Sequence, residues 1–565
     1  RDASRGDAIV GEIEAIAQTD GGGDLSRTLE LVTEALQDDI EERRNVDRHS
    51  VSFFTDLQQA TWLPNTSDPD QLWARFAKLA DEASWMLVDV GSPLVPNLAV
   101  TDVGVREPFP TLGRELTFEA TLRQFADEPR SDCIVELLID DNPVGSQTVD
   151  LPADSAAVVH FSHRFRDAGE HTVEVRAASD RLDADNSRWL VVDVVERVDV
   201  LIVAGRRDDA RYLVDALDPD PNIPSAIRPR VISEGEFADT GLEPFACVFL
   251  SNVAQLTAGE ADRLARYVEQ GRGLIVFLGD RVVADSYNSV SAADGAALLP
   301  ARIGELLRET QFGLDPLDYR HAIVAPFRGR ERAGLLTTPV ARYYRLEMPT
   351  GQAQAEVALA TPQGDPLIVT APRGNGQVVL VATAGSLASI DAASGEPWTA
   401  WPAWPSFLPV VREILAYAAA GETPNSFTVG TPLAGLVEPG ERSDSLTLTR
   451  PDGRTAELAV TNSATGNDWT YDDTDLGGVY VARSSSTGDA QFYAVNVDTA
   501  ESDLTQVDRQ LLPPELLVRS DAGAYLGQSD SIVPHANWHR PLLWTAFGMV
   551  LVELGLAWIF GRGGR

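Results

Sequence analysis

The sequence predicts a multidomain chain in which α/β modules alternate with all-β modules. Three observations predict it. Two stretches interleave apolar strands with helical periodicity, two others carry short alternating strands broken by turn residues, and 565 residues exceed what one hydrophobic core serves.

Residues 1–95 form the first α/β region. Leu25–Leu36 (LSRTLELVTEAL) places apolar residues at helical spacing, and Gln71–Ala83 repeats the pattern; Val51–Phe54 and Trp85–Val90 read as buried strands. Such alternation predicts a parallel sheet clad in helices, here a partial doubly wound domain. From Pro96 the texture changes. Asn97–Val105, Leu116–Phe125, Cys133–Ile139, Ala157–Phe165 and His171–Ala177 alternate in polarity between turns such as Asp141-Asn142-Pro143. They predict an immunoglobulin-like β-sandwich over 96–196.

Val198–Val203 opens a second α/β region, 197–425, with helices at Arg207–Leu217 and Ala258–Gln270 and strands at Cys247–Leu250 and Gly273–Leu278. Later, Pro366–Thr370 and Gln377–Ala382 frame a Gly374-Asn375-Gly376 hairpin turn, and Phe407–Ala419 closes the region as a helix. Residues 426–508, around the Pro451-Asp452-Gly453 turn, predict a second small β-sandwich, followed by a linker over 509–540.

Pro541–Phe560 (PLLWTAFGMVLVELGLAWIF) has the roughly twenty mostly apolar residues that a helix needs to cross a bilayer. Trp544 and Trp558 sit at its edges as in an interfacial belt, and Arg562 and Arg565 follow on the side expected to be cytoplasmic. The expectation is a C-terminal transmembrane helix in the cell membrane, with the bulk of the chain outside the cytoplasm. Glu553, two-thirds along that span, would be costly as a bare charge there, so it predicts protonation or an intramembrane contact with a partner subunit. The chain opens at Arg1 without a Met or a leader, which predicts further chain upstream.

The net charge of −39 excludes a phosphate-backbone partner, because nucleic-acid binding needs basic stripes. Only two cysteines occur, Cys133 and Cys247, in different predicted domains, which excludes a disulfide framework and a cysteine-based zinc site.

Several strings, in order, carry a resemblance. They are Gly21-Gly22-Gly23-Asp24-Leu25, Phe54-Thr55-Asp56-Leu57-Gln58, Asp89-Val90-Gly91 running into Asn97-Leu98-Ala99-Val100, Ala184-Asp185-Asn186-Ser187-Arg188, Val276-Phe277-Leu278-Gly279-Asp280 with Tyr287-Asn288, and Phe492 to Asp498. With a terminal anchor, this order resembles the Bat-type (aerotolerance) membrane proteins of planctomycete-like bacteria. The resemblance implies a von Willebrand factor A-like domain, a CARDB-like sandwich and a class I glutamine-amidotransferase-like domain. It also implies membrane-protein partners of one complex and a MoxR-type AAA ATPase. The membrane helices and first A-domain strand that the family carries at its N-terminus are missing from this chain.

An A-domain holds a hard divalent ion such as Mg2+ at its sheet edge, with oxygens from three loops. Asp56 matches the third loop, whereas Gly23-Asp24 stands where Gly-Thr belongs, so Asp56 and Asp24 are the candidate ligands of a degenerate site. The plainer reading of Asp56 is a cap on the sheet edge. In an amidotransferase a cysteine on a tight strand-to-helix elbow becomes acylated. Here the elbow reads Gly279-Asp280-Arg281, without cysteine or serine; Cys247 opens an earlier strand, and His321 is the nearest downstream histidine. His160 and His163 fall on opposite faces of one strand. The expected function is a membrane-anchored, non-enzymatic assembly protein without a cofactor of its own. The alternative is an envelope hydrolase or amidotransferase using the second α/β region.

Overall fold

A computed structural model describes residues 11, 15–41, 49–63, 69–79, 83–91, 96–107, 109–178, 180–220, 225–289, 297–308, 313–329, 334–348, 354–419, 426–437, 445–462, 467–484, 490–512 and 517–519. The chain divides into two compact units, Gly22–Val95 with Asp503–Arg565, and Arg1–Gly21 with Pro96–Ser502.

In the smaller unit, α1 (Leu25–Glu41) buries Leu25, Leu29 and Leu36, spaced to share one helix face. β1 (His49–Thr55), α2 (Pro69–Leu79) and β2 (Ala83–Asp89) follow, with β1 and β2 parallel. Both helices pack on the face carrying Val51, Phe53, Trp85 and Leu87. There Phe53 and Trp85 stack with centroids 5.7 Å apart, and Phe76 meets Trp85 edge-on at 5.6 Å. A third parallel strand, Leu517–Arg519, pairs with β2. The sequence reading placed those residues in a linker, because three residues carry no periodicity. They become a strand because β2 offers an open edge.

The larger unit begins with β3 (Asn97–Val105), β4 (Glu115–Phe125), β5 (Arg130–Ile139), β6 (Asn142–Leu151), β7 (Ala156–Arg164), β8 (Gly169–Ala177) and β9 (Ser187–Val194). They make two sheets, β3-β4-β7 and β6-β5-β8-β9, around a core that includes Phe118, Leu122, Val135, Leu137, Val173 and Val192. β6 escaped the sequence reading because it is an edge strand, mostly exposed and without alternation.

Next come β10 (Val198–Ala204), α3 (Arg211–Leu217), β11 (Ile227–Ser233), β12 (Cys247–Ser251), α4 (Ala258–Glu269), β13 (Gly273–Phe277), β14 (Arg302–Arg308), β15 (Arg342–Glu347), β16 (Glu356–Ala360), β17 (Pro366–Arg373), β18 (Gly376–Val381) and α5 (Phe407–Ala419). The sheet order is β11-β10-β12-β13-β18-β17-β16. The first five strands are parallel, β17 runs antiparallel to them, and β16 pairs antiparallel with β17. β12 and β13 are buried along their whole length, which is why they read as unbroken apolar runs. At the β17–β18 turn Gly374 has φ 56° and a Cβ there would lie 2.7 Å from Glu269 Cα, so glycine is needed twice over.

A second sandwich closes the unit. Its five-stranded sheet runs Ser426–Thr428, Ala490–Asn496, Gly478–Ser484, Ser445–Thr449, Thr455–Ala459, facing a three-stranded sheet of Leu433–Val437, Asn467–Tyr471 and Thr461–Asn462. The two sandwiches are joined side by side. Asn496 Oδ1 accepts the Trp189 N–H at 2.8 Å and its Nδ2 donates to the Trp189 carbonyl at 2.9 Å.

Among the described residues no helix is long and apolar enough to cross a membrane. Pro541–Phe560 and Glu553 lie outside the described residues.

Candidate functional site

The larger unit's parallel sheet has a topological switch point. From β10 the chain first adds β11 on one side and then β12 on the other, so the carboxyl ends of β10 and β12 border the crevice where open α/β sheets bind ligands. Four loops meet there. Gly205, Arg206 and Asp209 follow β10, Asn252 follows β12, Gly279-Asp280-Arg281 follow β13, and Ser386 and Ser389 follow β18.

Asn252 is the centre of this network. Its φ of 55° is left-handed, a conformation tolerated by Asn better than by most residues. Its Nδ2 reaches Asp280 Oδ1 at 2.9 Å, Asp209 Oδ2 at 3.1 Å and Ser389 Oγ at 3.4 Å, while its Oδ1 accepts the Arg281 N–H at 3.0 Å. Glycines on both sides make room for it. A Cβ on Gly205 would stand 2.0 Å from the Asn252 carbonyl, and one on Gly279 would stand 2.4 Å from Asn252 Oδ1.

Charges in the network are paired. Arg206 clamps Asp280 with two parallel bonds of 3.0 and 2.8 Å, a fork geometry suited to carboxylates. Burial would raise the Asp280 carboxyl, but the Arg206 fork and the Asn252 amide outweigh it and hold Asp280 below its ordinary value. Asp209 is fully buried and goes the other way. Burial pushes its carboxyl up, against the pull of Ser386 Oγ at 2.8 Å and of Asn252. Arg281 pairs with Glu234 at 2.6 Å and also donates to the Gly205 carbonyl.

Asp280 therefore stands at the strand-to-helix elbow, as the sequence reads, but with both oxygens engaged. Cys247 is at the opposite end of β12 from the crevice, about 13 Å away at strand rise. It is buried, and burial drives its thiol far above the ordinary range. His321 is elsewhere again. Its Nε2 contacts Thr370 Oγ1 of β17 at 3.0 Å, its Nδ1 accepts the Ile323 N–H at 3.2 Å, and its ring packs on Tyr417 of α5. The three residues that an acyl-transfer site would need together are not brought together. Asp209, Asn252, Ser386 and Ser389 were missed in the sequence; Asn252 alone had a signal, a polar residue directly after a buried strand.

Burial lowers the His321 imidazole, and only the exposed Glu356 carboxylate, 3.8 Å away, pulls it upward. The folded chain thus binds this proton less readily than the unfolded chain. Stability should fall as pH drops through the unfolded value of 6.5. His321→Asn, which keeps an acceptor for the Ile323 N–H, should flatten that acid limb in a denaturation series across pH.

The smaller unit places the candidate metal ligands differently from an open site. Asp24 Oδ1 accepts the Arg27 N–H at 2.9 Å, capping α1. Asp56, just past β1, turns its Oδ1 to the Gln58 N–H at 3.3 Å, and its carbonyl accepts from Gln506 Nε2 at 2.8 Å. The neighbouring edge carboxylate, Asp89, is paired with Arg509 at 2.5 Å. The segment Thr505–Arg509 lies over this sheet edge: the Gln59 N–H bonds the Thr505 carbonyl, and the Val507 N–H bonds the Leu57 carbonyl, each at 2.8 Å. Among the described residues no three His, Cys, Asp or Glu cluster in reach of a metal ion. Asp24 is spent on a helix end and a cation already sits on Asp89, so these residues do not fit a divalent cage.

In the first sandwich His160 lies 3.5 Å from Glu119, whereas His163 and His171 flank Phe165 with centroids 4.8 and 4.6 Å from it.

Residues 425–495 match the model of a domain of unknown function, DUF8816. No curated protein matches the chain. Among solved structures the chain is similar to the CARDB domain of a Pyrococcus furiosus protein, at 15% identity over 19% of this chain and 100% of that one, with a TM-score of 0.17. It is similar to a domain from Methanosarcina acetivorans, described as belonging to a cell-surface protein, at 21% identity over 18% and 96%, with a TM-score of 0.16. A cytoplasmic protein from Salmonella typhimurium matches at 13% identity over 39% and 98%, with a TM-score of 0.28.

Proposed function

We propose that this chain is a membrane-held, non-enzymatic assembly protein of the bacterial envelope, of the Bat type, acting with membrane proteins of one complex and a MoxR-type AAA ATPase. The observation that carries the reading is the elbow after β13. Where covalent catalysis needs an activated nucleophile, the chain has Asp280 neutralised by an Arg206 fork and locked by Asn252. The crevice is filled with mutually satisfied polar groups, and such a network rigidifies a fold. Two sandwiches joined through Asn496 and Trp189 offer a stiff surface for partners. The apolar run Pro541–Phe560 supplies the tether.

The test is affinity capture of the full chain from solubilised membranes. An AAA ATPase and integral membrane proteins are expected in the eluate, and the chain should leave the membrane fraction when it ends at Arg540. Recovery of neither partner class sinks the assembly role. A thiol-reactive activity probe addresses the enzymatic alternative. Cys133 and Cys247 are both buried, so neither should label until the protein is denatured. Labelling of Cys247 in the folded protein would revive an acyl-enzyme.

A further inference from the structure

Several oxygen atoms in the larger unit are buried at one place without a hydrogen bond. Asn97 opens β3, Asp185 ends the 3-10 turn Asp183–Asp185, and Ser502 ends the turn Thr499–Ser502. They are 1, 2 and 1% exposed. Asn97 Nδ2 donates to Asp185 Oδ2 at 2.7 Å and to the Ser502 carbonyl at 2.9 Å. Both partners are acceptors, so the Asn97 amide cannot be flipped, and its Oδ1 must face the other way. Asn97 Oδ1, Asp185 Oδ1 and Ser502 Oγ then have no partner among the described residues, and neither does Oδ1 of the adjacent Asn186. Ser502 Oγ stands near the Asp185 carboxyl without the geometry of a hydrogen bond.

A buried polar atom left without a partner forfeits its hydration with nothing in return, and here several occur together. The charge is also unanswered. Among the described residues no basic side chain pairs with Asp185, and its neighbour Asp180 is a second carboxylate, with Arg130 3.5 Å from it. The site therefore sets a buried carboxylate, without a basic partner among the described residues, beside bare oxygens. Waters alone could meet the hydrogen bonds but not the charge.

We propose that Asn97, Asp185 and Ser502, with Asn186 beside them, bind a hard cation, Ca2+, that clamps the first sandwich to the segment leaving the second. The donors are all oxygens, a carboxylate with amide carbonyls and a hydroxyl, which suits Ca2+; Mg2+ dehydrates reluctantly and wants a stricter octahedron. A single carboxylate sets a weak site, in the range of about 0.1–1 mM, as in extracellular modules. Asp185 and Asn186 belong to the Ala184–Arg188 string, which the crevice network leaves unused.

The experiment is Ca2+ titration of the chelated full chain at neutral pH, read by terbium luminescence and by melting temperature. The wild type should bind one Ca2+ and melt higher with it. Asp185→Asn should weaken binding at least about tenfold, since ligand charge sets affinity. Asn97→Asp brings a second carboxylate against Asp185. It should melt lower than wild type in chelator and gain more from Ca2+. Asp56→Ala should change none of this, which separates the site from the smaller unit's sheet edge. A wild-type melting temperature indifferent to millimolar Ca2+, binding retained in Asp185→Asn, or an Asn97→Asp variant no more Ca2+-responsive than wild type each overturns the proposal.

Discussion

Replacing Arg450 with methionine is expected to destabilise the second sandwich by about 2–4 kcal/mol, somewhat below the roughly 3–5 kcal/mol that removing one partner of a fully buried ion pair costs. The Arg450 side chain is 8% exposed and three aspartates converge on it. NH1 donates to Asp473 at 2.7 Å and to the Tyr471 hydroxyl at 3.3 Å, NH2 donates to Asp475, and Nε is 3.7 Å from Asp452. The methionine fills the space but leaves three carboxylates facing one another around an apolar side chain. Asp473 is largely exposed and can turn to water, which holds the estimate below the upper end for fully buried pairs. Lysine should recover only part of the loss, because one ammonium cannot reach the separate acceptors that the guanidinium spans. Trp469 is buried against Tyr493 in the same sandwich, with centroids 5.4 Å apart, and makes a local fluorescence reporter. Denaturant unfolding should show the Trp469 transition shifted while the α/β core's transition stays in place. An unmoved Trp469 transition would mean that the aspartates, and not the arginine, set this fold.

How much of the molecule was legible depends on where each element is buried. β12 and β13 are covered on both faces, so composition alone marked them, and β4 alternates buried with more accessible residues along most of its length. β6 has almost no buried face and Leu517–Arg519 is too short for a period, so neither could be read locally. The strand Leu517–Arg519 exists through its pairing with β2, a long-range cause that local pattern does not encode. The crevice divides in the same way. Asp280 was legible because the elbow has a fixed relation to a strong strand. The Asp209–Ser386 pair spans 177 residues and Asn252–Ser389 spans 137, and only the sheet order brings them together. Asp56 and Asp24 were legible as residues but not in role. Asp24 Oδ1 is taken by α1's first turn and Asp56 Oδ1 by the Gln58 N–H, while the Asp56 carbonyl is held by Gln506, nearly the whole chain away.

That long return makes the last prediction the largest. A chain stopped at Ser502 should retain the larger unit and lose the fold of the smaller one. Beyond Ser502 lie the third strand of its sheet, the buried Val507 and Leu512 of its core, the Gln506 bond to the Asp56 carbonyl and the Arg509–Asp89 pair. Burying a valine and a leucine contributes about 3–6 kcal/mol together. A unit of this size has only about 4–10 kcal/mol of stability in all. The strand adds backbone bonds along β2, and without it β2 presents an open edge beside Trp85 and Leu87. In limited proteolysis followed by mass spectrometry, the shortened chain should be cut throughout residues 22–95 while the region from Pro96 to Ser502 persists. Extending the chain to Arg519 should restore protection, and Arg509→Ala within that longer chain should reduce it less than the truncation does, since the Arg509 end of the pair is half exposed to water and a solvated pair is worth about 1 kcal/mol. Resistance of residues 22–95 in the chain ending at Ser502 would show that α1, α2 and two strands suffice, and that the returning segment merely rests on a finished domain.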